Sequence, residues 1–267
     1  MDSDTTLRVR SDDASIRVGG FSIDILVQGF PGKTVCHGGL GWSTIVLMRG
    51  HGRIAMIDTG GMGVRRHLIH KLKERGLEPE DVTDLLLSHA HYDHILNWTT
   101  FQHARIVIGR DELAWAAKEP WGRTPVPELH VRELQGWKTL HAASDGEEVM
   151  PGITGHIMPG HTPGHLIYVI KGKDHDVIFT GDAVKNRAEF LCGQTDMTYD
   201  PAVSSATVAA IWTLWRARPG NIVIPGHDIP MALKDGRPHY LAKREDAIKA
   251  WFGDDIDTMT TLELSVR

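Results

Sequence analysis

Apolar residues fall in short alternating or continuous runs through the first part of the chain. The pattern over 21–28, 43–48 and 53–57 predicts three strands, the last two joined by a turn at His51-Gly52, and together they read as a β-meander. Gly60-Gly61-Met62-Gly63 breaks that pattern. Val64, Leu68, Ile69 and Leu72 then recur at helical spacing until Gly76, which predicts a helix over 64–75 with a glycine stop.

A short apolar strand over 84–87 runs directly into Ser88-His89, and another covers 105–108. Residues 111–118 read as helix. In the stretch 119–127, Pro120, Pro125 and Pro127 remove backbone donors, so a loop or lid is expected there. Further strands are predicted over 153–158, 166–170 and 177–180. Asp200-Pro201 supplies an N-cap with proline at the first helical position, and Val203, Ala206, Ala210, Ile211 and Leu214 form an apolar face that ends near Arg218-Pro219-Gly220. A last clear strand is expected over 221–224 and a terminal helix over 239–252.

The order is strands with a helix, then strands with a helix, which suits an α/β fold of two packed sheets with helices outside. With 267 residues and no internal repeat or linker, the expectation is one domain over 1–267. Within it, 1–20 reads as an N-terminal extension and 110–150 as an insertion forming a substrate pocket or lid.

Composition narrows the class. The hydrophobic share of 41% and charged share of 24% match an ordinary globular protein and exclude a disordered or fibrous chain. No apolar run approaches the roughly 20 residues needed to cross a bilayer, so no membrane partner is expected. The acidic start Met1-Asp2-Ser3-Asp4 has no basic segment followed by an apolar one, and a cytoplasmic protein is expected. Cys36 and Cys192 are too few and too far apart for a disulfide framework and read as reduced packing residues. A net charge of −5 disfavours nucleic acid, which usually requires a basic footprint. A small-molecule substrate fits better, and a homodimer is the one protein partnership kept in view.

The chemistry is concentrated in Ser88-His89-Ala90-His91-Tyr92-Asp93-His94, four metal-competent side chains within six positions after an apolar strand. In extended chain, residues two apart face the same way, so His89 and His91 can grip one ion while a following turn redirects Asp93 and His94. Pro159-Gly160-His161, Thr180-Gly181-Asp182 and Pro225-Gly226-His227 each place another such residue where a loop should leave a strand.

Together these seven residues resemble the metallo-β-lactamase superfamily, whose motif order is H-x-H-x-D-H followed by a single His, Asp and His. The resemblance runs from about Phe21 to His227 and implies an αββα sandwich. It further implies that His89, His91 and His161 hold one metal, that Asp93, His94 and His227 hold the other, and that Asp182 bridges them. Two divalent ions, two carboxylates and a bridging hydroxide would leave the site near +1, suited to an oxyanion. Zinc is the first candidate; manganese, iron and cobalt accept the same donors. Asp58 resembles the aspartate that the superfamily places behind the metal site, and His165 reads as a buried supporting histidine. His67 and His70 share a solvated helix face, and Gly60 to Gly63 form a turn.

Within the superfamily, the segments around His161, Asp182 and His227 look most like the N-acyl-homoserine lactonases and their glyoxalase II relatives. The stretch from Asp58 to Asn97 also resembles the metallo-β-lactamase-domain-containing proteins of animals. A dinuclear hydrolase of a small carboxylic ester or lactone is therefore expected, with a bridging hydroxide as nucleophile and Asp93 orienting it. The lactonases carry tyrosine three residues after the bridging aspartate; here Lys185 stands there, either as a cationic electrophile or pointing to solvent. Trp115, Trp121 and Trp137 would wall an apolar pocket or meet a second copy. The alternatives are a thioester hydrolase of glyoxalase II type, a phosphodiesterase or ribonuclease, and an iron-dependent sulfur dioxygenase or diiron reductase module. Leu191-Cys192-Gly193-Gln194-Thr195-Asp196 echoes a dioxygenase run in which arginine replaces Gln194.

Overall fold

The computed structural model describes residues 15–36, 38–244 and 246–264. In chain order the strands are β1 (Ile16–Val18), β2 (Phe21–Val27), β3 (Lys33–Thr34), β4 (Gly38–Gly39), β5 (Ile45–Gly50), β6 (Arg53–Ile57), β7 (Asp84–Leu86), β8 (Arg105–Gly109), β9 (Leu140–Ala143), β10 (Glu147–Met150), β11 (Ile153–Ile157), β12 (Leu166–Ile170), β13 (Val177–Gly181), β14 (Ile222–Pro225), β15 (Met231–Lys234), β16 (Arg237–Tyr240), β17 (Ala247–Ala250) and β18 (Thr260–Glu263). The helices are α1 (Arg65–Lys73), α2 (Tyr92–Ile95), α3 (Arg110–Ala116), α4 (Glu128–Gln135), α5 (Arg187–Cys192) and α6 (Pro201–Arg216).

One seven-stranded sheet runs β1-β2-β5-β6-β7-β8-β9, and a second runs β10-β11-β12-β13-β14-β15-β16. Their central strands are apolar on both faces because each sheet is covered twice. In β5, Val46 and Met48 enter the core between the sheets while Ile45 and Leu47 pack under the helices of the first sheet. In β12, Leu166, Tyr168 and Ile170 face the other sheet while Ile167 and Val169 face α6. That period of two, buried on both sides, is why these strands read as unbroken apolar runs. The layers are helix, sheet, sheet, helix.

Strands β6, β7, β8 and β9 are parallel, as are β13 and β14. Loops leaving the carboxyl ends of such strands gather at one edge, where α/β sheets usually place their chemistry. Across that edge Leu166 donates its N–H to the Ser88 carbonyl at 2.8 Å, and the Tyr168 hydroxyl donates to the Leu87 carbonyl at 2.8 Å. Thr44 donates its N–H to the Gly226 carbonyl at 2.7 Å. Each bond joins an element of one half to an element of the other.

Several expectations are corrected. Among the described residues no helix spans 239–252: β16 ends at Tyr240 and β17 covers Ala247–Ala250. Asp235 (φ 51°) and Gly236 (φ 74°) form a tight turn between β15 and β16, a hairpin signal in the sequence that outweighs the helical pattern after it. Strand 222–225 is accordingly followed by more strands. The stretch 110–150 contains β9 and β10, which belong to the two sheets, so it is not a simple insertion. It also holds α4, whose Val131 and Leu134 are buried. Residues 16–18 of the expected extension form β1; residues 1–14 lie outside the described residues. No helix among the described residues is long and apolar enough to cross a membrane.

Candidate metal centre

The four loops carrying the sequence-derived residues converge at this edge. His89 and His91 follow β7 in extended chain, and His91 (φ −84°, ψ 150°) is the residue before α2 begins. The change from extended to helical backbone at Tyr92 is the turn that swings Asp93 and His94 away from the first pair. His161 sits in the β11–β12 connection, Asp182 directly after β13 and His227 after β14. Close approach is needed at Gly226, where a methyl group would collide with the Asp182 carboxylate.

His161 Nε2 lies 3.2 Å from His89 Nε2 and 3.0 Å from His91 Nδ1. Asp93 Oδ2 lies 3.3 Å from His227 Nε2 and 3.6 Å from His94 Nε2. Between the two groups stands Asp182, with Oδ2 3.3 Å from His161 Nε2 and Oδ1 3.2 Å from His94 Nε2 and 3.3 Å from His227 Nε2. Three overlapping sets of donors follow: His89, His91 and His161; His89, His94 and Asp182; Asp93, His94 and His227. Around a tetrahedral ion with nitrogen donors at about 2.0–2.1 Å, neighbouring donors stand about 3.4 Å apart. The histidine spacings fit that shell. His94 Nε2 and Asp182 Oδ1 are buried, close to each other but in hydrogen-bond geometry with no group, an arrangement that a cation between them would resolve.

The electrostatics differ between the groups. Burial holds the His89 and His161 imidazoles well below their ordinary range and lowers His91 to about 4, so these rings present neutral lone pairs. Burial also pulls on His94, but Asp182, Asp93 and Asp58 override it and hold that ring well above its ordinary range. His227 is raised to about 9 against burial, chiefly by Asp182. Burial would raise the Asp182 carboxyl, yet His227, His94 and His161 keep it well below its usual range. The second group thus demands positive charge, and the first offers neutral donors.

Asp58 is fully buried behind the cluster, 2.8 Å from His94 Nδ1, and also accepts from the Ser88 amide and hydroxyl, each at 2.8 Å. The Ser88 hydroxyl lies 3.0 Å from His89 Nδ1. His165 is buried with its Nε2 accepting from the Asp182 amide at 3.0 Å, a supporting place as expected. Lys185 neither reaches a donor of the cluster nor points to solvent: its ammonium pairs with Glu189 Oε1 at 3.0 Å and donates to the Asp196 carbonyl at 2.7 Å.

The three tryptophans separate. Trp115 lies 6.2 Å from the His91 ring and 5.9 Å from Tyr199, measured between centroids. Trp137 packs on Trp98 at 5.0 Å, and Trp121 is exposed beneath Arg132. His67 and His70 are exposed on α1, as expected. Cys36 and Cys192 are exposed thiols rather than packing residues. Asn97 donates to the Thr59, Gly60 and Gly61 carbonyls, fixing the glycine turn. Sequence reasoning left Glu112 and Tyr199 without a role: each sits in an ordinary polar context, and only tertiary packing brings it beside the site.

The family model of the metallo-beta-lactamase superfamily matches residues 38–227. Metallo-beta-lactamase domain-containing protein 1 of Xenopus laevis is 27% identical over 196 residues, 71% of this chain and 72% of that protein. The N-acyl homoserine lactonase of Bacillus thuringiensis is 26% identical over 165 residues, 61% of this chain; the match spans only 62% of the lactonase. Among solved structures, AidC, a dizinc quorum-quenching lactonase, superposes with a TM-score of 0.66 at 17% identity, covering 85% of this chain and 96% of that one, a likeness of fold. The matched span, the doubly covered sheets and the histidine–aspartate cluster agree, and the chain belongs to the metallo-beta-lactamase superfamily, with the hydrolase fold of that superfamily and a metal-binding cluster at its sheet edge.

Proposed function

We propose that the chain is a dinuclear metal-dependent hydrolase of a small, uncharged carboxylic ester or lactone. One observation carries the reading: the Asp182 carboxylate has one oxygen beside His161 and the other beside His94 and His227, the placement a bridging ligand needs. His89, His91 and His161 would hold one ion and Asp93, His94 and His227 the other, zinc first among the candidates. Two such ions lower the pKa of a shared water and polarise the substrate carbonyl.

The chain's own residues then supply position and proton handling. Asp58 fixes His94 through Nδ1, leaving Nε2 to face the cluster. Asp93, the most exposed carboxylate of the cluster at 20%, would orient an attacking water. Trp115 and Tyr199 flank the His91 side as an apolar wall for an acyl or ring substituent. Lys185 would reach a substrate carbonyl oxygen by exchanging one of its two present partners. The substrate class draws on the lactonase relatives and on the net charge of −5, which offers polyanions little attraction.

The test is a comparison of kcat/KM on lactones, aryl esters, glutathione thioesters, a β-lactam and a phosphodiester at equal concentration. The highest value is expected on a lactone or aryl ester. A highest value on the phosphodiester would overturn the carbonyl assignment, and one on the glutathione thioester would replace the ester with a thioester.

A further inference from the structure

Glu112 is fully buried in the first turn of α3 and has no ion-pair partner among the described residues. One of its carboxylate oxygens accepts from the Ala90 amide at 2.8 Å. The other accepts from the Thr162 hydroxyl at 2.7 Å and the Gly164 amide at 3.2 Å. Ala90 stands between His89 and His91, and Thr162 follows His161. A single carboxylate therefore ties together the two loops that carry the three-histidine group. The approach is close by construction: a methyl group at Gly164 would collide with the backbone of Glu112.

The two halves of the cluster are unequal in charge. The second group contains Asp93 and has Asp58 behind His94, whereas the three-histidine group has only its share of Asp182. An unpaired buried carboxylate is costly unless something nearby favours the charge, and burial raises the Glu112 carboxyl to about 7. Its three donors hold it in place, and a divalent ion beyond those donors would favour the ionised form.

We propose that Glu112 is the positioning residue of the three-histidine group, fixing His89 and His91 relative to His161 and setting that group's affinity for a divalent ion separately from the Asp93, His94 and His227 group. The inference rests on the metal centre proposed above. Glu112→Gln retains an acceptor for Ala90 but loses the charge and the bond from Gly164, and the Thr162 hydroxyl must turn from donor to acceptor, because an amide NH2 donates and cannot accept. Glu112→Ala leaves all three donors unsatisfied.

The experiment is titration of metal-depleted protein with cobalt(II), read by visible absorption and chelator competition, for the wild type, Glu112→Gln and Glu112→Ala. The same titration in a His227→Ala background, where the Asp93, His94 and His227 group loses a donor and the three-histidine group keeps all of its own, identifies the affected ion. Glu112→Gln should weaken one of two cobalt equivalents about 10- to 100-fold and leave the other within about threefold; Glu112→Ala should weaken the same equivalent further. Unchanged affinities in Glu112→Gln would overturn the inference, as would equal loss at both equivalents. A wild type that takes one cobalt removes the two-ion reading, and the effect of Glu112→Gln on that single ion still decides the role of Glu112. A wild type that takes none overturns both.

Discussion

The Asp58 carboxylate and the His94 ring form a fully buried contact, Oδ2 to Nδ1 at 2.8 Å. Asp58 achieves it from a left-handed backbone conformation, φ 57°, which is unfavourable for a residue with a side chain and persists only where surrounding contacts determine it. The same carboxylate accepts from Ser88, whose hydroxyl faces His89. Asp58 thus reaches one histidine of each group, directly or through a single hydroxyl, and orients both Nε2 atoms toward the cluster. Asp58→Asn keeps the size but gives up one acceptor, so divalent-ion affinity should fall about 10- to 100-fold with far less effect on unfolding. Chelator competition measures it, and an unchanged affinity would remove the orienting role.

Asp182→Asn and His91→Ala should each lower kcat by at least about a hundredfold, because each removes a donor at the centre of the arrangement. Folding should survive, since three apolar clusters supply the core. Elemental analysis of protein purified without added metal should give two ions per wild-type chain. One fully occupied ion in active enzyme would contradict the dinuclear reading.

Lys185→Met separates two roles for one side chain. If the ammonium assists the substrate carbonyl, kcat falls about tenfold or more while metal content stays the same. If it only ties the loop through Glu189 and Asp196, kcat holds and thermal stability drops. Kinetics and a melting curve on the same preparation distinguish them.

Trp115→Ala should raise KM about tenfold, or ~1.4 kcal/mol, for substrates with long or aromatic acyl groups. Short-chain substrates should change little, because the wall beside His91 is apolar surface rather than a hydrogen-bonding group. An equal loss for both substrate types would place Trp115 outside the pocket.

Burial and then Asp228, which accepts the Tyr240 hydroxyl proton at 3.0 Å, raise that phenol to about 12. The folded state therefore holds the proton more tightly than the unfolded chain. The associated stability is complete below pH 10 and disappears as pH rises through 12. An alkaline absorbance titration should show a phenolate step near pH 12 that Tyr240→Phe lacks; a Tyr240 step near pH 10 would contradict the contact with Asp228.

The two-sheet layering and the meeting of the histidines and aspartates were both legible in the sequence, and the course of the C-terminal region was not. Histidines at 89, 91 and 94 with Asp93 follow an apolar strand, so ligand chemistry and local geometry are written within six positions. The C-terminal region misled because helical spacing after 239 competes with the Asp235-Gly236 turn, and pairing of β15 with β16 decides between them. Glu112 was invisible for another reason. Its role depends on Ala90 and Gly164, 22 and 52 positions away, and no local pattern encodes such a meeting.

The ties between the two sheets bear on the order of events during folding. Before the halves dock, the first can offer only His89, His91, Asp93 and His94, and the second only His161, Asp182 and His227, so neither holds a full set of donors. Tight ion binding would therefore report the docked state and no earlier one. Contacts this distant in sequence form slowly because a long loop must close first. An ion that binds only the docked state should slow unfolding while leaving the docking rate unchanged. Metal supplied during refolding would act as a latch on an assembly the apolar faces have already made.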